Sequence, residues 1–337
     1  MLLDGNLPQS IAQAVDALQR GELVGLPTET VYGLAADACN EAAVAKIFAT
    51  KGRPANHPLI VHVASAAGVP AFAAEVPAFA QRLMAAFWPG PLTLILPRRP
   101  DVGAAAAGGQ NSIGLRCPAH PVALALLKAC AAQGMAGLAA PSANLFGRVS
   151  PTTAAHVQSE LGHELLVLDG GVCAVGIEST IVDCTRGEPV LLRPGQISRA
   201  QIEAACGLAV RNKDSLQAPA PRASGTLESH YAPRAKVRLM SAQDIAAKLL
   251  ALGPHANNLG VWSVQRPGTE EGVGMGMGMG AGVVWRAQPL SAAQAAHDLF
   301  TVLRDLDARG VHQIWVQQPP DTPEWEGVRD RLQRAAA

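Results

Sequence analysis

The sequence predicts an open α/β sheet in a large first domain and a smaller α/β unit after it. Between about residue 9 and residue 192, short apolar runs typical of strands alternate with segments that favour helices, which is the pattern of an α/β fold. The pattern is lost between residues 212 and 233 and then resumes. A chain of 337 residues that is 49% hydrophobic can bury a core in each of two domains.

The elements of the first domain are predicted from periodicity and from the residues that stop them. Residues 9–20 carry apolar side chains at helical spacing and end at a glycine, which predicts a helix. Residues 22–26 predict a short strand, and PTET, residues 27–30, breaks it into a loop of the kind that binds ligands in α/β sheets. Residues 41–50 favour a helix stopped by prolines, and residues 58–63, PLIVHV, predict a buried strand. Further candidates are Leu94–Pro97, Ile113–Arg116, Pro121–Ala132, Leu138–Ala140, Leu165–Leu168, Ser179–Asp183 and Val190–Leu192.

The second unit follows a segment that is rich in proline and polar residues. We therefore predict a first domain over residues 1–211, a linker over 212–235 and a smaller α/β domain over 236–337. Its candidate elements are strands at Val237–Met240, Leu259–Val264 and Gln313–Gln317 and helices near 242–252 and 291–309.

A glycine-rich run, GVGMGMGMGAG at residues 272–282, does not fit a known phosphate-binding loop. Its glycines fall on every even position, which cannot give G-x-G-x-x-G, and the chain contains no G-x-x-x-x-G-K-[ST]. We interpret the run as a low-complexity insertion. Any ATP site must be built in another way.

Composition excludes several classes of protein. Lys+Arg and Asp+Glu are both 27, so no strong overall field attracts nucleic acid or an anionic membrane. The six cysteines form no CxxC pair, which disfavours a metal cluster and fits a reducing compartment. The sequence shows neither a signal peptide nor an apolar run of membrane-spanning length, so we expect a cytoplasmic protein without a membrane partner.

Cationic side chains recur in the loops and strand ends. Lys51 and Arg53 flank a glycine at the predicted end of a helix, where they could bind phosphate or could simply be solvated. Arg116 ends the strand SIGLR, on the same face as Ser112, and an arginine on a buried strand needs an anion. Arg193 follows another strand in LLRPG.

Polar side chains accompany these cations. Ser142 and Asn144 in PSAN could bind phosphate or ribose, or could be turn and cap residues. Ser179 lies at the start of the strand in ESTIVD, and His62 in PLIVHV is by default a satisfied core histidine that could meet Thr30 where two strands end. Together these groups suit the stabilisation of phosphoryl charge, and neither a Ser–His–Asp triad nor metal-ligand spacing is apparent.

The ordered series PTETVYGL, KGRP, PLIVHV, SIGLRCP, PSAN, ESTIVD and LLRPG resembles the YrdC-like threonylcarbamoyl-AMP synthases over roughly residues 10–200. HYAP at 230–233 and the second unit resemble the longer, two-domain type. The resemblance implies a twisted, open, mixed sheet in the first domain and a Rossmann-like second domain. It also implies that L-threonine, bicarbonate or CO2, and ATP give threonylcarbamoyl-AMP and pyrophosphate.

The resemblance also implies a set of site residues. Lys51 and Arg53 would be catalytic, and Arg116 would face the threonine carboxylate. The threonine site would consist of Thr30, His62, Arg116, Ala140 and Ser179. The ATP site would consist of Lys51, Arg53, His57, Ser112, Ser142, Asn144, Ser150, Arg193, His230 and Tyr231. His230 and Tyr231, in the linker motif, would close over the site, and Asn56-His57 stands where the family usually has Asp-Asn.

The implied cofactor is Mg²⁺ bound with ATP, with its protein ligands unassigned. The implied partner is a downstream tRNA threonylcarbamoyl transferase, and direct binding of tRNA by this chain is expected to be weak or absent. Two alternatives stay open. The first is an RNA-binding or ribosome-associated factor, which the balanced charge and the 4% aromatic content disfavour. The second is the carbamoyl-transfer domain of hydrogenase maturation proteins, which would carry CxxC pairs.

Overall fold

A computed structural model of the chain describes residues 1–212, 221–225, 230–266 and 282–337. The chain divides into two compact units, one made of Met1–Phe146 and Ser150–Thr226 and the other of Gly147–Val149 and Leu227–Ala337. Half of the predicted linker, residues 213–220 and 226–229, and the Gly-Met repeat at 274–280 lie outside the described residues. The domain boundaries drawn from the sequence therefore stay a prediction.

In the described residues, the first unit is built on an eleven-stranded mixed sheet with helices. The elements are β1 Leu2–Asp4, α1 Pro8–Gln19, β2 Val24–Leu26, β3 Gly33–Asp37, α2 Glu41–Lys51, β4 Ile60–His62, α3 Ala78–Phe87, β5 Leu92–Pro97, β6 Ser112–Arg116, α4 Pro121–Ala132, β7 Leu138–Ala139, α5 Ala154–Leu161, β8 Leu166–Asp169, β9 Thr180–Asp183, β10 Val190–Arg193, α6 Arg199–Cys206 and β11 Arg211–Asn212. The strands run in the order β1-β8-β2-β3-β7-β4-β6-β5-β9-β10-β11. Parallel pairs such as β4 with β6 stand beside antiparallel pairs such as β5 with β6, so the predicted open mixed α/β fold is confirmed.

Local sequence sets the ends of helix α2, which carries a site lysine. The Asn40 side chain accepts a hydrogen bond from the Ala43 amide and caps the helix at its start. Gly52 ends it in the left-handed region at φ 59°, where a side chain would be strained. The helix therefore stops immediately after Lys51.

The core of the first unit holds the site strands in place. One cluster of buried apolar side chains includes Ile47, Leu83 and Leu115, and a second includes Leu18 and Leu126. Close packing of this kind has low compressibility and resists displacement of the strands. The polar residues at the ends of these strands are therefore held on a rigid support.

The described residues of the second unit form a four-stranded parallel sheet with helices in its connections. Its elements are β12 Lys236–Met240, α7 Ala242–Leu252, β13 Leu259–Ser263, β14 Val283–Ala287, α8 Ala292–Ala308, β15 Gln313–Gln317 and α9 Glu326–Ala336, and the strands lie in the order β12-β15-β13-β14. The parallel sheet agrees with the expected Rossmann-like architecture. Strand β14 and helix α9 were not predicted.

A carboxylate of the second unit gathers groups from distant points of the sequence. Asp307 is nine-tenths buried and accepts hydrogen bonds from the Arg148 and Arg234 side chains and from the Ala235 amide, at 2.9–3.3 Å. Residues Gly147–Val149 thus belong to the second unit although they lie in the middle of the first unit's sequence.

In the described ranges, no helix combines the length and the apolar character needed to cross a membrane.

Candidate active site

Three of the residues predicted to bind L-threonine lie together at the ends of two neighbouring strands and in a nearby loop. His62 ends β4, Arg116 ends β6, and the two residues are paired in the parallel register of these strands. Thr30 lies in the loop after β2, and its Oγ1 accepts a hydrogen bond from Arg116 Nη1 at 2.8 Å. We call Glu29, Thr30, His62 and Arg116 the Arg116 cluster.

Arg116 is 4% exposed and is fixed by three separate contacts. Besides Thr30, its Nε donates to the Gly90 carbonyl at 3.2 Å, and its Nη2 lies 2.7 Å from Glu29 Oε1 as an ion pair. A cation at this depth needs anionic and hydrogen-bonding partners to offset its desolvation. Glu29, the middle acid of PTET, is therefore part of the site, although the sequence analysis did not include it.

The PTET loop is rigid because Thr28 closes it on itself. Thr28 Oγ1 accepts from the amides of Thr30 and Val31 at 3.2 Å and donates to the Val31 carbonyl at 2.6 Å. This hydroxyl-centred turn fixes the backbone on both sides of Glu29. The Glu29 carbonyl also accepts from the Val175 amide at 2.7 Å.

Several polar atoms of the Arg116 cluster lack a directed hydrogen bond. Among the described residues they are both carboxylate oxygens of Glu29, His62 Nδ1 and Arg116 Nη2, so the short Glu29–Arg116 contact is an ion pair without hydrogen-bond geometry. Burial and the nearby Arg116 cation lower the pKa of His62 to about 3, so its imidazole is neutral near pH 7. Buried polar atoms are nearly always paired in folded proteins, and these four therefore indicate a ligand site.

Lys51 is buried against the PSAN loop. It is 2% exposed, and its Nζ donates to the backbone carbonyls of Ser142 and Asn144. Burial, together with the neighbouring Arg53 cation, lowers the pKa of Lys51 to about 7. The solvated alternative considered for Lys51 and Arg53 is wrong, since both side chains are buried.

Arg53 and Arg193 meet at a described piece of the predicted linker, residues 221–225. Arg53 Nη2 donates to Ser224 Oγ at 3.0 Å and to the Pro58 carbonyl at 2.8 Å, and Arg193 Nη1 donates to the Ser224 carbonyl at 2.9 Å. Ser112 lines a small cavity with the same segment. The predicted ATP residues Arg53, Ser112 and Arg193 are thus brought together, and Ser224, which was not predicted, accepts hydrogen bonds from both arginines.

Ser179, predicted to bind threonine, accepts hydrogen bonds from Arg193, which is one of the predicted ATP residues. Arg193 Nη2 donates to the Ser179 carbonyl at 2.9 Å and to its Oγ at 3.2 Å, and the Thr93 hydroxyl lies 2.7 Å from the same Oγ. The loop after Arg193 comes close to Thr180, and this requires a glycine at position 195, because a Cβ there would lie 2.6 Å from the Thr180 amide nitrogen. The loop after Arg193 can therefore lie against the start of β9.

The other predicted residues occupy distinct places. The Ser150 hydroxyl donates to Glu178, and the Ala140 amide donates to Ile60. The ring of His57 meets the Phe146 ring edge-on at 5.4 Å between centroids, and burial and nearby Arg53 lower the pKa of His57.

His230 and Tyr231 belong to the second unit. Tyr231 is fully buried, with its ring 5.3 Å from the Phe300 ring and 5.4 Å from the Arg331 guanidinium carbon. It has φ 63°, a conformation that non-glycine residues seldom adopt. Their closure over the nucleotide stays a prediction, as do all the assigned binding roles.

Three residues of the site were not predicted: Glu29, Thr93 and Ser224. The sequence carries a signal for one of them. A glutamate directly after a short apolar strand, between two threonines, is unusual for a core loop, and Glu29 could have been found that way. Thr93 and Ser224 carry no such signal, because their roles depend on which strands are neighbours. Across the described ranges, no three His, Cys, Asp or Glu residues are grouped so as to hold a metal ion.

Fold and site together define a class of protein, an α/β protein with buried lysine and arginine side chains at the ends of its strands and of helix α2. The family model described as "Telomere recombination" (Sua5, YciO and YrdC) matches residues 16–195. A second model, described as "Threonylcarbamoyl-AMP synthase, C-terminal domain", matches residues 197–337. The chain belongs to the Sua5/YrdC family of threonylcarbamoyl-AMP synthases.

Relatives match over nearly the whole chain. The threonylcarbamoyl-AMP synthase of Bacillus subtilis is 39% identical over 99% of this chain and 94% of its own length. That of Pyrococcus abyssi is 37% identical over 96% and 93%. A solved structure of Pyrococcus abyssi Sua5 complexed with L-threonine superposes with a TM-score of 0.81 at 34% identity, covering 97% of this chain and 94% of that one. A double variant of the same protein gives a TM-score of 0.85 at 32% identity, covering 100% and 96%.

Proposed function

We propose that this chain is an L-threonylcarbamoyladenylate synthase, a nucleotidyltransferase that converts L-threonine, bicarbonate or CO2, and ATP into threonylcarbamoyl-AMP and pyrophosphate. The observation that carries the proposal is the Arg116 cluster, where buried atoms of an acid, a base and a cation (both carboxylate oxygens of Glu29, His62 Nδ1 and Arg116 Nη2) lack directed hydrogen bonds. Arg116 would bind the threonine carboxylate. The threonine complex of the Pyrococcus abyssi relative supports an amino-acid ligand for this fold.

The chemistry is an attack by a carbamate oxygen of carboxylated threonine on the α-phosphorus of ATP, with pyrophosphate as the leaving group. Negative charge builds up on the phosphoryl oxygens and the leaving group, and fixed cations lower the barrier by offsetting it. Lys51, Arg53 and Arg193 are buried cationic side chains that could do so. The carbamate needs shielding from water, which would give the linker residues a role as a lid.

Magnesium would enter with ATP. The described residues offer no group of three carboxylate, histidine or cysteine ligands, which fits an ion that keeps waters and takes most ligands from phosphates. It would supply charge neutralisation at the pyrophosphate leaving group.

The product would be consumed by a tRNA threonylcarbamoyl transferase that modifies adenosine next to the anticodon. The alternative of an RNA-binding factor without this catalysis has less support, because relatives that match along the whole chain carry the synthase name. The charge balance of 27 cationic and 27 anionic residues also offers no broad surface for RNA.

The proposal is tested by incubating the purified protein with ATP, bicarbonate and L-threonine and measuring pyrophosphate. We expect release that depends on threonine and bicarbonate, and loss of about 10²-fold or more in Lys51→Ala, as for removal of a charge-stabilising group. Lys46→Ala is the matched control, because Lys46 is an exposed lysine on the same helix. Release that does not require threonine would refute the proposal.

A further inference from the structure

We propose that Glu29 is the base that takes a proton from the substrate's ammonium group so that the free amine can be carboxylated. The inference rests on the proposed function and adds to it a residue and a step. It concerns the formation of the carbamate, which precedes the attack on ATP.

The first observation is the state of the Glu29 carboxylate. Glu29 is 8% exposed, and neither carboxylate oxygen receives a directed hydrogen bond from the described residues. A carboxylate usually accepts several donors when buried, because desolvation without them is costly. Here the backbone of the loop is fixed by Thr28 and Val175, and the carboxylate is oriented by its ion pair with Arg116, while neither oxygen accepts a directed hydrogen bond from the described residues.

The second observation is the complementarity between the cluster and a free amino acid. Glu29 offers an anion without donors, and Arg116 Nη2, 2.7 Å away, offers a cation without a directed acceptor. An α-amino acid carries an ammonium and a carboxylate two bonds apart, which matches this pair of adjacent charges. His62 Nδ1 and the Thr30 hydroxyl stand beside them for a polar side chain. The cluster thus selects a zwitterion and places its ammonium at Glu29.

The third observation is that the other titratable groups around Glu29 are poor proton acceptors. Burial raises the pKa of the Cys117 thiol to about 11 and raises that of Cys173 further, with Glu29 contributing to both, so both stay protonated. Burial lowers the pKa of His62 to about 3 and also lowers that of His120, whose two ring nitrogens contact the Val122 amide and the Gly170 carbonyl. Arg116 is a permanent cation. Glu29 is the anionic group in this set.

The step balances with bicarbonate as the co-substrate. The substrate's R–NH3⁺ gives one proton to the Glu29 carboxylate and becomes R–NH2. The amine nitrogen then forms a bond to the bicarbonate carbon, and the C–OH bond breaks, so that R–NH2 and HCO3⁻ give R–NH–COO⁻ and water. Glu29 afterwards returns its proton to solvent, and the new carbamate oxygen is ready to attack the α-phosphorus.

The test compares the pH dependence of Glu29→Gln with that of the unaltered chain. At saturating threonine near pH 7, we expect pyrophosphate release to fall by about 10²-fold, a typical contribution of general-base catalysis. The ratio of variant to parent rate should then rise by about tenfold per pH unit, because the free-amine fraction of threonine rises at that rate below its own pKa. Using the ratio cancels the titration of Lys51, which both proteins share.

Two further variants sharpen the outcome. Glu29→Asp keeps the charge beside Arg116 but withdraws the carboxylate, so it should fold, lose less activity and show a weaker rise with pH; this variant decides the question if Glu29→Gln does not fold. Glu22→Gln, at an exposed acid, is the control for loss of one negative charge and should match the parent.

The failures of the two proposals are distinguishable. If the unaltered chain releases no pyrophosphate with threonine, the proposed function fails. If it does, but Glu29→Gln keeps the parent rate or is reduced by the same factor at every pH, the role of Glu29 as base is overturned. A flat reduction would mean that Glu29 only orients Arg116.

Discussion

The two sides of the site differ in how their arginines are satisfied. On one side, Arg53 and Arg193 donate to backbone carbonyls and to Ser224, all supplied by the chain itself. On the other side, Arg116 also donates to the chain through Nε and Nη1, but its Nη2 faces Glu29 in an ion pair without hydrogen-bond geometry, and His62 Nδ1 is unpaired in the same cluster. All three arginines are more than nine-tenths buried, so the difference is one of partners and not of depth.

This difference predicts different energetics for the two ligands. A ligand at the Arg116 cluster adds hydrogen bonds that the free protein lacks, and each group left unsatisfied there costs about 1–3 kcal/mol. A ligand at Arg53 and Arg193 must replace bonds that already exist, so its net gain is smaller. Threonine binding should therefore stabilise the fold more, per polar contact, than binding of the nucleotide phosphates.

The largest effect is expected when the Arg116 cluster is left with an uncompensated charge. Arg116→Met should destabilise the protein by about 3–5 kcal/mol, because it leaves the buried Glu29 anion without its cation. The double variant Arg116→Met with Glu29→Gln should recover most of that loss while remaining inactive. Urea unfolding measures both, and a double variant as unstable as the single one would mean that packing of the arginine, not charge, holds the cluster.

The second effect is a pH dependence of stability that comes from the buried ammonium group of Lys51. Because burial lowers the pKa of Lys51 to about 7, the unfolded chain binds more protons than the folded one between about pH 7 and pH 10. Stability should rise with pH over that window, and Lys51→Met should flatten the rise. Unfolding curves at several pH values measure this.

The same lysine should couple nucleotide binding to proton uptake. ATP phosphates near Lys51 would raise its pKa, so binding near pH 8 should take up a proton fraction of up to about one. Calorimetry in two buffers of different ionisation enthalpy measures the uptake. Lys46→Met serves as control, and equal uptake in Lys51→Met would place the phosphates elsewhere.

The smallest effect is expected at Ser224, whose hydroxyl accepts a hydrogen bond from Arg53 that a nucleotide phosphate could accept instead. Ser224→Ala removes the hydroxyl that accepts from Arg53 and donates to the Pro58 carbonyl. The ATP dissociation constant should fall by up to about tenfold, since a hydrogen bond to a charged group contributes about 1.5 kcal/mol. Ser159→Ala, at an exposed serine of α5, should have no effect. Weaker ATP binding in Ser224→Ala would show that the segment contributes to the nucleotide site.

The sequence predicted elements well where periodicity and stop signals coincide. Helix α4, Pro121–Ala132, agrees with its prediction to the residue, and α2 agrees to within one residue at its end. Strand β3 was missed because PTETVYGL was interpreted only as a loop and its continuation. Helix α3 was missed because its apolar face is bounded by weak signals, with a proline as N-cap and no charged residue in its last turn.

Within the site, chemistry was easier to predict than pairing. Arg116 was singled out because a cation on an apolar strand requires an anion, and the structure supplies one in Glu29. That partner could not be derived from spacing, since Glu29 and Arg116 are distant in sequence and meet only because the loop after β2 reaches the end of β6. Ser224 lies in a segment without periodicity, so no local rule pointed to it.

The contacts of Asp307 join two separate stretches of the coding sequence into the second unit. Asp307 binds Arg148 as well as Arg234, and Arg148 is encoded far upstream of the rest of that unit. A truncated gene that starts after residue 226 would therefore encode a domain without one of its own arginines, and one that stops there would leave Gly147–Val149 without the fold to which they belong. No single break in the coding sequence separates the two units into complete parts.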